Sequence, residues 1–118
     1  MKNVLDEVIR SLSKEEVRFF KLFLNRTERN SRRDVQLFDY MRKKGDDFTT
    51  KDIVKKLNTN LNNYYQIKNR LYHELNNSMI WQHIWKDTQS KSFGFVLLSR
   101  VYKNKGELEL AFHYLKKA

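Results

Sequence analysis

The chain has 118 residues, of which 40% are hydrophobic and 14% aromatic, enough apolar material for one core and too much for a disordered segment. It contains no cysteine, which excludes disulfides and thiolate-held zinc, and no run approaches the roughly 18 apolar residues of a membrane span. The net charge of +10 divides evenly, with 15 basic against 10 acidic residues in 1–60 and 9 against 4 in 61–118, so no basic tail marks a polyanion partner from composition alone.

The chain opens Met1-Lys2-Asn3-Val4-Leu5-Asp6-Glu7, with acids where a secretory leader needs an apolar run, and the cytoplasm is the expected compartment. Val4, Leu5, Val8, Ile9 and Leu12 share one face of a short helix. Ser13-Lys14-Glu15-Glu16 reads as a capping box opening a second helix, with Val17, Phe20, Phe23 and Leu24 on its apolar side. Residues 25–30 are polar and read as a loop. Ser31-Arg32-Arg33-Asp34 then gives a cap and a first-turn acid for a third helix carrying Val35, Leu37, Phe38 and Met41. Arg42, Lys43 and Lys44 stand where its dipole favours cations, and Gly45 is its expected stop. Thr49 or Thr50 caps a fourth helix with Ile53, Val54 and Leu57, and Asn58 tolerates the left-handed conformation that ends it.

From Leu61 a three-and-four spacing runs through Tyr64, Leu71, Leu75 and Met79, predicting a helix from about Asn62 to the Asn76-Asn77-Ser78 cluster or past it. Tyr64, Tyr65, Tyr72, Trp81 and Trp85 are assigned to the core on the same spacing. Residues 86–91 read as a polar turn, and 93–104 and 107–118 as the last two helices, split by Lys105-Gly106. The aromatic-rich runs 79–85 and 93–98 flank that turn and also fit a β-hairpin, since short apolar runs carry no decisive period.

Phe95, Leu98, Ser99, Tyr102, Gly106, Ala111, Leu115 and Ala118 recur at a diagnostic spacing. The pattern resembles the tetratricopeptide repeat, in which small residues sit where the two helices cross. The resemblance covers residues 93–118, with Phe95 in place of the usual Trp and Leu115 in place of an aromatic. It implies a concave surface that holds a protein or peptide, with Phe93, Val96, Arg100 and Lys103 facing it, the last two suited to an acidic partner. Such repeats need neighbours, so the chain is expected to be the N-terminal piece of a longer protein, or residues 1–90 to act as a cap. Residues 1–90, through Ser13-Lys14-Glu15-Glu16-Val17-Arg18-Phe19-Phe20-Lys21 and Lys68-Asn69-Arg70-Leu71-Tyr72, are similar to helical regions that precede such repeats in bacterial proteins of unassigned function.

Residues 50–71 support a second reading, a nucleic-acid-binding helix-turn-helix. Val54 would be the small residue of its first helix, Asn58 the turn residue, and Tyr64 and Ile67 the buried residues of its second. Asn62, Asn63, Gln66, Asn69 and Arg70 would face base edges, and Lys51, Lys55 and Lys56 would hold phosphates. With the hairpin, the unit would be a winged helix. Thr59 breaks the pattern, because an apolar residue is expected there.

No catalytic constellation is present. His73, His83 and His113 lack metal-ligand spacing, and Gly45, Gly94 and Gly106 are isolated rather than gathered in a phosphate loop. The expected protein is therefore all-α: a helical bundle over residues 1–90, then a tetratricopeptide-like pair over 91–118. Its expected role is non-enzymatic protein or peptide binding, without metal, cofactor or membrane, and with nucleic-acid binding as the alternative.

Overall fold

The computed structural model describes residues 4–25, 31–44 and 49–118. Among them lie seven helices and no strand: α1 (Val4–Ser11), α2 (Lys14–Asn25), α3 (Ser31–Lys44), α4 (Thr50–Lys56), α5 (Leu61–His83), α6 (Thr88–Asn104) and α7 (Leu108–Lys117). The fold is all-α. No described helix is long and apolar enough to cross a membrane. The chain divides into two compact units, Met1–Met79 and Ile80–Ala118, with the division inside α5 rather than at residue 90.

In the first unit α3 packs against α1 and α2. Leu37, Phe38 and Met41 of α3 are fully buried, joined by Leu5, Ile9, Phe20, Leu24, Ile53, Tyr64, Ile67, Leu71 and Leu75 from the other helices. The Phe20 and Phe38 rings meet at a centroid distance of 5.0 Å. The capping box at Ser13 forms as its residue types dictate: the Glu16 amide donates to Ser13 Oγ at 3.1 Å, and the Ser13 amide donates to Glu16 Oε1 at 2.8 Å. Thr49, not Thr50, caps α4 through the same reciprocal pair with Asp52. Arg42, expected to serve its own helix end, instead reaches α1. Its guanidinium donates to the carbonyls of Ile9 at 2.8 Å and Leu12 at 3.2 Å, satisfying acceptors that the end of α1 leaves open. The Ser31 cap, the loop after Asn25 and the Gly45 stop lie outside the described residues and side chains.

In the second unit α6 starts at Thr88, five residues before the expected Phe93. The cause is Asp87, whose carboxylate accepts from the Ser90 amide at 2.7 Å and from its hydroxyl at 3.0 Å. That cap corrects the polar turn expected over 86–91, most of which is helix. It also removes the hairpin alternative, and the winged helix with it, because the run from Phe93 to Leu98 lies inside α6. Trp85 packs against α6: a Cβ at Gly94 would lie 3.1 Å from the indole, and the Trp85 and Phe95 rings meet edge-on at 5.4 Å. Even so, Trp81 and Trp85 are exposed and not core, as is Tyr65, whereas Tyr64 is buried and Tyr72 half-buried.

Two helices end in the same way. After α4, Asn58 takes φ 52°, its amide donates to Lys55 O, and the Thr59 amide donates to Val54 O. After α6, Gly106 takes φ 80°, its amide donates to Lys103 O, and the Glu107 amide donates to Tyr102 O at 2.8 Å. Both are Schellman stops, in which a left-handed residue returns two amides to the open carbonyls. A Cβ at Gly106 would meet nothing within 4 Å, so only the backbone conformation resists a side chain there. Gly106→Ala is therefore expected to cost about 1 kcal/mol without a structural shift, measured by urea unfolding. The Asp87 carboxyl is held below its ordinary value of 3.8, first by the Ser90 amide and then by the Ser90 hydroxyl. Its cap is present above 3.8 and is lost as pH falls through the lower folded-state value. An NMR titration should place Asp87 below 3.8 and show the Ser90 amide shift following it.

Candidate functional site

The two surfaces anticipated from the sequence fall in different units. In the second, α6 and α7 form the most extensive helix pairing among the described residues. They approach closely through Ser99 and Ala111, both buried, and the Ser99 hydroxyl donates to the Ala111 carbonyl at 2.8 Å. Stacked rings fill the rest of the seam: Phe95 on Tyr114 at 6.3 Å and Tyr102 on Tyr114 at 5.4 Å. Ala118, expected at a second close crossing, instead stands exposed as the last residue after α7.

With Gly94, Phe95, Leu98, Ser99 and Tyr102 turned inward or half-buried, helical geometry sends Phe93, Leu97 and Arg100 to the opposite side of α6. Of the four residues assigned to a concave face, Phe93, Arg100 and Lys103 are exposed and Val96 is half-buried. Lys105 and Lys117 lie over the rings of Tyr102 and Phe95, each 5.8 Å from the centroid. Missed in the sequence was the exposure of further apolar residues, Leu97 and Val101 on α6 and Leu108, Phe112 and Leu115 on α7. Their three-and-four spacing was legible, but spacing cannot say whether a stripe is covered.

In the first unit, α4 is followed by the turn at 57–60 and the start of α5. Ile53, Leu57, Tyr64 and Ile67 are buried in the core of the unit, and burial raises the Tyr64 hydroxyl pKa above its ordinary value. Asn62, Asn63, Gln66 and Asn69 are exposed on α5, and Lys51, Lys55 and Lys56 on α4. The irregular Thr59 has a buried hydroxyl with no hydrogen-bond partner among the described residues, the physical counterpart of its misfit to the motif.

Arg70 corrects the sequence reading. Its guanidinium is not free to read a base, because it grips Asp34 at the start of α3, with Nε 3.1 and 3.0 Å from the two carboxylate oxygens and a terminal nitrogen at 2.8 Å. Asp34 is almost wholly buried while Arg70 is 44% exposed, and this hydrogen bonding raises the Arg70 pKa above its ordinary value. Asp34 is thus an anchor as well as a first-turn acid.

A wider basic surface surrounds this unit. Lys43 and Lys44 of α3 face Lys55 and Lys56 of α4 across an open groove of about 890 Å³. Lys55 also lines a second groove with Lys51, Leu61 and Tyr65, and Tyr65 a third with Lys68 and Asn69. Among the described residues no cluster of three or more His, Cys, Asp or Glu side chains is placed to hold a metal.

The Arg70–Asp34 pair predicts unequal losses. Arg70→Ala strands a buried carboxylate and is expected to cost about 3 kcal/mol or more, whereas Asp34→Ala leaves a guanidinium that water reaches and should cost about 1–2 kcal/mol. Equal losses in a double-mutant cycle would mean that the carboxylate is solvated. Compared with protein-family models, with curated proteins and with solved structures, the chain matches none.

Proposed function

We propose that residues 80–118 are a protein-binding helix pair, a non-enzymatic module whose α6 face receives an amphipathic, acidic helix or peptide. The observation that carries this reading is the distribution of uncovered apolar side chains. Ten large hydrophobic residues are exposed in the second unit, against four in the described part of the first, which is the longer of the two. Phe93 is 67% and Phe112 65% exposed. Apolar surface gathered on a rigid pair of helices loses free energy when another surface covers it, which is how concentrated patches come to mark interaction sites.

The charge on α6 selects the partner. Lys91, Arg100 and Lys103 are its charged side chains and no acid accompanies them within the helix. Phe93, Val96 and Leu97 would supply apolar contact, with Arg100 and Lys103 steering an acidic border. The likeness to a tetratricopeptide repeat is part of the same proposal, supported by the Ser99–Ala111 crossing and the Gly106 stop. The cytoplasm is its proposed compartment, in keeping with the cysteine-free composition.

The test is a selection of helical peptides from a display library against the 118-residue chain. Selected peptides are expected to carry apolar residues three and four apart with Asp or Glu beside them. Leu97→Asp, at an exposed position, should weaken their binding at least about tenfold, and Arg100→Ala with Lys103→Ala should flatten its salt dependence. Peptides indifferent to Leu97→Asp would count against this face.

A further inference from the structure

We infer that the first unit carries a separate binding surface for duplex DNA, built from α4, the turn at Asn58 and the exposed side of α5, with α3 supplying part of its phosphate contacts. Three observations converge on it. The first is rigidity: the Asn58 stop ends α4, apolar side chains of α4 and α5 are buried in the core of their unit, and the Arg70–Asp34 grip ties α5 to α3. A helix enters a major groove with useful register only when its own unit holds it still.

The second observation is charge. The three adjoining grooves, linked by Lys55 and Tyr65, gather Lys43, Lys44, Lys51, Lys55, Lys56 and Lys68. Among the described lining residues the acids are Asp39 and Asp52. Both are occupied, Asp39 in an ion pair with Lys21 at 3.0 Å and Asp52 in the α4 capping box. Among the described lining residues, six cations against two engaged carboxylates leave a net +4. The even charge of the two halves of the chain conceals this excess, because its lysines come from three helices.

The third is the chemistry of α5. From Leu61 to His73 α5 carries no acid, and its exposed side offers Asn62, Asn63, Gln66 and Asn69. Carboxamides pair bidentately with the N6 and N7 edge of adenine, while arginine pairs with guanine. With Arg70 held by Asp34, the readout left to α5 is an amide one, and A·T-containing sites are the expected preference. An acidic protein would also be drawn to the lysines, but the exposed amides of α5 carry no charge for it to pair with.

The experiment is a fluorescence anisotropy titration of the 118-residue chain with a labelled random duplex of about 20 base pairs, repeated from about 50 to about 200 mM salt. About four phosphate contacts predict a slope near −3.6 in log affinity against log salt, a loss of roughly 150-fold over that range. Lys55→Ala with Lys56→Ala should reduce the magnitude of the slope by about 2, and Arg100→Ala with Lys103→Ala, an equal loss of charge in the other unit, should leave it unchanged. All four positions are exposed, and circular dichroism of each variant verifies that the helices persist. Selection from random duplexes should enrich adenine-containing sites, an enrichment that Gln66→Ala weakens. The inference is overturned by no binding at tens of micromolar protein in low salt, by equal losses from the two double variants, or by single-stranded DNA or polyglutamate competing as well as duplex.

Discussion

α3 holds the first unit together because it is bound on more than one side. Its Leu37, Phe38 and Met41 are wholly buried, and burial of this kind contributes about 1.5–3 kcal/mol per large side chain. The same helix uses a charged group near each end on a different neighbour. Asp34 holds Arg70 of α5, and Arg42 donates to the last carbonyls of α1. Apolar contact brings elements together without specifying their angle, whereas these polar contacts are directional. The carboxylate of Asp34 thus adds a directional tie to the apolar contacts that already hold α5 through Tyr64, Ile67, Leu71 and Leu75.

The two units solve the problem of a small core differently. The first collects apolar side chains from five helices and leaves lysines and amides outside. The second has one helix pair and part of a third helix, closes its seam with Ser99, Ala111 and stacked rings, and leaves ten large apolar groups uncovered. Different surfaces ask for different company. A polar, cationic face attracts a polyanion through counterion release, and an apolar face is covered by another protein surface. The peptide and DNA proposals therefore do not compete for the same residues.

Much of the helical organisation could be read directly. Ser13 with Glu16 and Thr49 with Asp52 are local reciprocal caps, and Asn58 and Gly106 are residue types suited to a left-handed stop, so each needs only a few neighbours in the chain to be recognised. Asp87 with Ser90 belongs to the same class and was legible too. It was obscured by the polar run around it, which made a helix start look like a turn. The core positions Leu5, Ile9, Phe20, Leu24, Leu71 and Leu75 followed from periodicity because a helix face has to be buried somewhere.

Periodicity stops at the question of what covers a face. Trp81, Trp85, Leu97 and Phe112 have the spacing of core residues and stand exposed, because coverage depends on elements distant in sequence. Arg70 had the exposure and chemistry of a base reader, but a carboxylate 36 positions earlier occupies it. The gathering of lysines likewise exists only after three helices have packed. Composition and local spacing thus determined that this chain is helical and where most helices begin and end, since caps, stops and amphipathic periods act within a turn or two. Tertiary structure alone decided which charges are spent inside the protein and which face outward, because that depends on distances between residues far apart along the chain.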